Sequence, residues 1–218
     1  MSKNLNELPH MFPDKKQFSE IARNNGIRKT HEIIIYDQTG FFCSSRVWFT
    51  FMYYGFKNIK ILDGGIENWK KNKLPLTRKI KAYKKSSFNH NEIIPNLIIN
   101  KNEIDESINK KNFKIIDARP KDRYLGIKKE PRPNLRRGNI KNSINIPYDS
   151  ISKDGKIKDL KDLEYLIYDE KNIKKNNSVI CYCGSGITAC NIIFVLKLLG
   201  HKKIKLYDGS WAEWGKIK

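Results

Sequence analysis

The chain has 218 residues, enough for one large domain or two ordinary ones, and 39% hydrophobic content suffices for a core, with no apolar run near the ~20 residues of a membrane span. Lys and Arg number 43 against 23 acidic residues, a net charge of +20. The lysines are spread among Asn and Ile, as in "KNEIDESINKKNFKII", with no arginine-rich arm and no basic block interleaved with aromatics, so no specific nucleic-acid binding is expected, only weak, salt-sensitive association with polyanions.

The polar start "MSKNLNELPHMFPD" has no apolar h-region. The expectation is a chain without a secretory leader, cytoplasmic, with its four cysteines reduced. The run "EIIIYD" then predicts a buried strand over 33–36, followed by a turn and an apolar helix over 47–54 that stops at Gly55. A second strand over 59–62 leads through a Gly turn into a helix bearing Trp69. The polar stretch "RKIKAYKKSSFNHNEIIP" reads as a linker over 78–95. Beyond it come a strand near 97–99, a helix near 104–109 and a strand over 114–117. The first pattern then returns: a strand over 179–182, a loop, an apolar helix over 187–199 ending at Gly200, a strand over 204–207 and a helix bearing Trp214.

The return is a duplication. "GFKNIKILDGGIENWKK" (55–71) aligns without gaps on "GHKKIKLYDGSWAEWGK" (200–216), an offset far longer than a solenoid repeat. Strand–helix–strand units with continuous apolar strands predict a parallel sheet covered by helices in each half. The expected division is a partial first unit (1–77), a linker (78–95) and a complete second unit (96–218).

The second unit carries the candidate chemistry in "SVICYCGSGITAC" (178–190). Cys183 stands where a parallel strand gives way to a helix, the end of an α/β sheet where ligands bind. Two glycines follow it, and the next helix adds its positive N-terminal end, a cradle that favours a thiolate. The spacing C-x-C-x6-C lacks the CxxC or Cys/His pairs of a zinc site, so no metal is expected. Residues i and i+2 of one strand are badly placed for a disulfide. Cys181 and Cys190 are expected to pack as small hydrophobes, and Cys43 to be inert. A tyrosine phosphatase would need Cys-x5-Arg, and the residue six after Cys183 is Ala189.

Taken together, "CGSGITAC", "LYDGSWAEWG", "DARPKDRYLG", "EPRPNLRRG", "INIP", "LPHMFP" and "LDGGIENW" resemble the tandem-rhodanese sulfurtransferases, and among them the mercaptopyruvate-using kind. The resemblance covers the whole chain. It implies two rhodanese-like α/β domains, the first incomplete, and a persulfide-forming nucleophile at Cys183. It also implies a small-molecule sulfur donor, a thiol, thioredoxin or cyanide acceptor, and no metal or organic cofactor. Loop residues Gly184, Gly186, Ile187 and Thr188 match the family's substrate cradle. Arg123 and Arg132 match a pair of arginines that grip a carboxylate and ketone, a task suited to the guanidinium fork. Ser185 and His10 match a serine–histidine–aspartate relay, and Arg119 reads as framework. Asp37, the first unit's counterpart of Cys183, cannot attack sulfur, so that unit is expected to be silent.

Two departures stand out. Family members have about half a domain before "LPHM", whereas Met1 is nine residues before His10. The relay's aspartate is therefore expected to lack a counterpart, and an unpaired sheet edge with exposed apolar residues is expected. An internal methionine taken as the start and a shortened paralogue both fit. In "RRGNIKNSINIP" the family's His-Ile-Pro-Gly is altered, which predicts a reshaped turn in an intact domain. The alternatives to mercaptopyruvate chemistry are a thiosulfate-preferring rhodanese, whose loops carry basic residues where this chain has Gly184 and Ser185, and a non-catalytic sulfur carrier or interaction module.

Overall fold

The computed structural model describes residues 3–5, 8–88 and 93–217. Met1 and residues 89–92 of the expected linker lie outside the described residues. In chain order the elements are β1 (Lys3–Leu5), β2 (Leu8–Met11), α1 (Lys15–Asn24), β3 (Ile33–Ile35), α2 (Ser44–Tyr53), β4 (Ile59–Ile61) and α3 (Gly65–Lys71). They continue with β5 (Ile98–Ile99), α4 (Lys101–Ser107), β6 (Phe113–Asp117), α5 (Lys121–Tyr124), β7 (Ser143–Asn145), β8 (Ser152–Lys153) and β9 (Lys156–Ile157). The last are α6 (Leu160–Glu164), β10 (Ser178–Tyr182), α7 (Ala189–Leu198), β11 (Ile204–Tyr207) and α8 (Ser210–Trp214). A 3-10 turn spans Tyr148–Ile151, and α6 runs on into a π-helical turn over Tyr165–Glu170.

The second half is built on a five-stranded parallel sheet in the order β5-β11-β10-β6-β7. The first half has a two-stranded parallel sheet, β3-β4, among the described residues. Its strands are the counterparts of β10 and β11, and nothing described covers the outer face: Ile34 and Tyr36 are 58% and 59% exposed.

The duplication extends to the helix ends. In α2, Gly55 donates to Met52 and Phe56 to Phe51; in α7, Gly200 donates to Lys197 and His201 to Leu196. Both are Schellman closures, and both glycines have left-handed φ, +73° and +74°, which a Cβ disfavours. Helix α2 starts three residues earlier than its apolar run suggested, and α7 starts two later, because the loop before it keeps Ile187 and Thr188 out of the helix. Helix α4 starts at Lys101 rather than near 104: Asn100 and Glu103 form a reciprocal capping box that fixes the first turn.

Side chains of β10 alternate between two cores. Val179 and Cys181 pack on the side of α7 and the first half; Ile180 and Tyr182 pack with Trp211, Tyr207 and Ile104 on the other. Helix α7 is apolar all round because it is covered twice, by its own sheet and by α2. Across that interface Phe194 sits 5.3 Å from Phe41 and 4.9 Å from Trp48, ring centre to ring centre. Asn191 donates to the Phe41 carbonyl at 2.8 Å and accepts from Ser45. The hairpin β8-β9 reaches back to the first half, where Ile157 N–H donates to Asp63 at 2.8 Å and Gly155 abuts Gly40.

The expected linker is more than a polar tether. Ser86 donates to the Ile27 carbonyl, and Phe88 is buried against Phe18 and Phe56, strapping the segment onto the first half. The altered turn at 138–145 is accommodated by left-handed backbone at Gly138 and Asn142, with Asn142 donating to the Ile108 carbonyl. Asn145 bonds the Asp117 and Arg119 carbonyls, so the domain framework is kept. Arg119 is that framework: 1% exposed, it holds Asp117, Glu130 and the Gly138 carbonyl, with its guanidinium 4.2 Å from the Trp211 ring centre.

Candidate active site

Cys183 follows the last residue of β10 and lies on the face shared with the first half, as the alternation dictates. The residue is 2% exposed. Ser210, at left-handed φ of +51°, accepts its N–H at 3.2 Å; Trp211 and Ala212 donate to the Cys183 and Gly184 carbonyls. The start of the loop is thereby pinned to α8. The N–H groups of Gly184, Ser185, Gly186, Ile187 and Thr188 donate to no acceptor among the described residues.

The first half shows what such a loop binds. There Asp37 Oδ2 accepts from the N–H groups of Phe42, Cys43 and Ser44 at 2.8, 2.8 and 3.1 Å. Burial pushes the Asp37 carboxyl up, but those backbone bonds outweigh it and hold the group below its ordinary range. Aligned on the helix starts, these donors correspond to Ile187, Thr188 and Ala189. One half thus fills its cradle with its own carboxylate, while in the other the N–H groups of Ile187 and Thr188 have no acceptor among the described residues.

Two of the remaining cysteines pack in the core. Cys181 and Cys190 are fully buried, and burial raises both thiols, that of Cys190 to about 12. Cys190 donates to the Gly186 carbonyl at 3.3 Å. Exposed Cys43 is raised too, first by partial burial and then by Asp37. Among the described residues no three His, Cys, Asp or Glu side chains converge as metal ligands.

Several expected site residues from distant parts of the chain meet at this loop. His10, on β2 with a left-handed φ of +61°, has Nδ1 2.8 Å from Ser185 Oγ. Arg123 lies alongside the loop: a Cβ on Gly184 would sit 3.1 Å from its Nη2. Buried Glu130 pairs with Arg123 and, at 2.8 Å, with Arg119, fixing both guanidiniums. Arg132 does not join Arg123 at Glu130; its charge acts on His10.

Sequence reasoning did not find Arg46. It projects from α2 and is buried against the loop. It pairs with Asp208 at 2.7 Å, donates to the Gly186 carbonyl at 3.1 Å and to the His10 carbonyl at 2.8 Å, and lies over the Phe12 ring. Asp208 also accepts from Phe12 N–H at 2.7 Å. Gly186, at φ +78°, leaves room for this pair, since a Cβ there would come 2.8 Å from Asp208 Oδ1. An arginine in the otherwise apolar "SSRVWFTFMY" was the available signal: a buried cation needs a partner.

Burial, then Arg132, then Arg46 lower the pKa of His10 from its ordinary 6.5, so the neutral ring is favoured. Because an unfolded chain takes up the proton that the folded chain refuses, this group costs stability as pH falls below 6.5. Followed by NMR, the His10 titration midpoint is expected below 6.5, and Arg132→Met is expected to raise it. A midpoint unmoved by that substitution would show that the two charges do not interact.

Loop N–H groups without protein acceptors at the carboxyl end of a parallel strand, next to a buried cysteine, make this a candidate site for thiol-dependent group transfer on an α/β fold. The rhodanese-like domain family matches over residues 2–72 and 100–217. The chain is 30% identical to the 3-mercaptopyruvate sulfurtransferase of Escherichia coli, over 99% of this chain and 76% of that protein. It is 32% identical to the mouse thiosulfate sulfurtransferase, over 94% of this chain and 69% of that one. The solved structure of the Escherichia coli SseA protein, described as a 3-mercaptopyruvate sulfotransferase of "Rhodanese" fold, superposes with a TM-score of 0.85. That match has 27% identity and covers 96% of this chain and 78% of that one. The chain belongs to the rhodanese-like family and is a sulfurtransferase. No helix among the described residues is long and apolar enough to cross a membrane.

Proposed function

We propose that this sulfurtransferase moves sulfur from 3-mercaptopyruvate through a Cys183 persulfide to a thiol acceptor, releasing pyruvate. The observation that carries the reading is the open cradle at Cys183, followed by neutral Gly184 and Ser185, with Arg123 held beside Gly184. A compact dianion such as thiosulfate favours positive charge directly after the thiol. Mercaptopyruvate instead carries its carboxylate and ketone away from the sulfur, within reach of laterally placed guanidiniums.

The Cys183 thiolate attacks the donor sulfur, forming an S–S bond. The carbon–sulfur bond breaks, its electron pair passes to carbon, and the enolate that leaves takes a proton to become pyruvate. The loop N–H groups, Gly184 to Thr188, face the developing anions with fixed dipoles. Ser185, hydrogen-bonded to neutral His10, is the proton relay to the leaving enolate, and Arg123 and Arg132 orient the keto acid. In the second half-reaction the acceptor thiolate takes the outer sulfur, a ping-pong sequence.

The division of labour follows the repeat. Residues 96–218 carry the chemistry, 78–95 connect, and 1–77 form a silent unit that walls the site and supplies His10. A small thiol or thioredoxin is the acceptor in this reading. Four unbridged cysteines fit a reducing, cytoplasmic setting. Measuring pyruvate from mercaptopyruvate plus a thiol, alongside thiocyanate from thiosulfate plus cyanide, tests the reading. It requires the first to exceed the second, and Arg123→Ala to raise the KM for mercaptopyruvate alone. Preferential thiosulfate turnover would overturn it.

A further inference from the structure

Two surface cavities meet along the C-terminal segment. One, about 410 Å³, is bounded by Pro9, Arg132, Asn134 and Ala212. The other, about 510 Å³, is bounded by Lys101, Asp105, Arg136 and Trp214. Lys216 and Ile217 line both. The shared wall is held in place: Ile217 N–H donates to the Asn134 carbonyl at 3.1 Å, Arg136 N–H to the Gly215 carbonyl at 2.8 Å, and Leu135 bridges Lys216.

The near end of this trough touches the site twice. Pro9 precedes His10, and Ala212 donates to the carbonyl of Gly184, the residue after the nucleophile. Among the described residues Arg132, Arg136 and Lys101 line the two cavities, with the carboxylate of Asp105 beside the last two. Apolar contact area lies among them: Ile217 is 64% exposed, and Lys101 Nζ sits 5.8 Å from the Trp214 ring centre.

We propose that this trough receives a protein thiol acceptor whose reactive cysteine is flanked by acidic residues; the inference rests on the sulfurtransfer reading above. A small thiol needs only the near cavity. The further cavity, its cations, half-buried Trp214 and exposed Ile217 suit a polypeptide. A nucleic acid has no thiol to bring to the near end, so the trough's position beside the loop favours a protein. Once the acceptor is seated, its thiolate attacks the outer sulfur of the Cys183 persulfide. That S–S bond breaks, Cys183 leaves as thiolate, and the acceptor becomes the persulfide, with no oxidant or reductant consumed.

The test compares the full chain with three acceptors: a cysteine peptide with Asp and Glu flanks, the same peptide with Asn and Gln flanks, and 2-mercaptoethanol. At low salt the acidic peptide is expected to have a kcat/KM about tenfold above the neutral one, an advantage that salt erodes. Lys101→Glu and Arg136→Glu, made separately, should reverse that preference while leaving turnover with 2-mercaptoethanol unchanged, which also shows that each variant is folded. Equal use of the two peptides, or an equal loss with all three acceptors in both variants, would overturn the proposal. Absence of pyruvate with every acceptor in the unaltered protein would overturn the sulfurtransfer reading and the proposal with it.

Discussion

Replacing Cys183 by serine is expected to lower pyruvate release by about 10⁴-fold or more, the scale of removing an enzyme's covalent nucleophile. The substitution changes one atom in a 2%-exposed side chain, so folding should survive it. Chemistry should not, since a hydroxyl cannot hold a transferable sulfur. Intact-protein mass spectrometry offers a direct second reading: with the donor alone, the unaltered chain should gain one sulfur atom and the variant none. The control is Cys190→Ser. Burial lifts the Cys190 thiol to about 12, so it stays protonated, and it donates to the Gly186 carbonyl and neighbours the Arg46 guanidinium, contacts that a serine hydroxyl can keep. That variant should keep its activity. Turnover persisting in Cys183→Ser would move the nucleophile elsewhere.

The second large effect is expected at Arg46. Arg46→Met leaves the Asp208 carboxylate, whose side chain is 4% exposed, without its cation. Breaking a buried ion pair from one side costs about 3–5 kcal/mol, a large part of the 5–15 kcal/mol that typically holds a domain together. Denaturant unfolding should show the loss. A double variant, Arg46→Met with Asp208→Leu, separates stability from positioning. Removing both charges together should recover much of the lost stability. It should not recover kcat, because the carbonyls of His10 and Gly186 still lack the guanidinium that ties them together. Full activity in a restabilised double variant would reduce Arg46 to a structural ion pair.

The two halves of the site differ in how much of them could be read from the chain. Cys183 was legible because a continuous apolar strand, two glycines and an apolar helix are local patterns. The duplication then made Asp37 its counterpart, and the carboxylate held by three N–H groups shows why that loop suits an anion. His10, Arg123, Arg132 and Ser185 had no local signature and came forward only through the resemblance. The start of α4 was misread, although Asn100-x-x-Glu103 is a local capping signal. Phe88 looked like one apolar residue in a polar tether, yet it fills a gap among Phe18 and Phe56 that exists only once α1 and α2 have packed.

By itself the sequence determined the repeat, the two parallel sheets, the glycine-closed helices and the address of the thiol, since each follows from periodicities of two or 3.6 residues and from backbone conformations that few residues adopt. Tertiary structure decided which groups surround that thiol. Arg46 meets Asp208, and His10 meets Ser185, only because α2 docks on α7 through Phe41, Trp48 and Phe194. Those partners lie far apart in the chain, and no local pattern encodes a contact whose energy appears only after both halves have folded and left water.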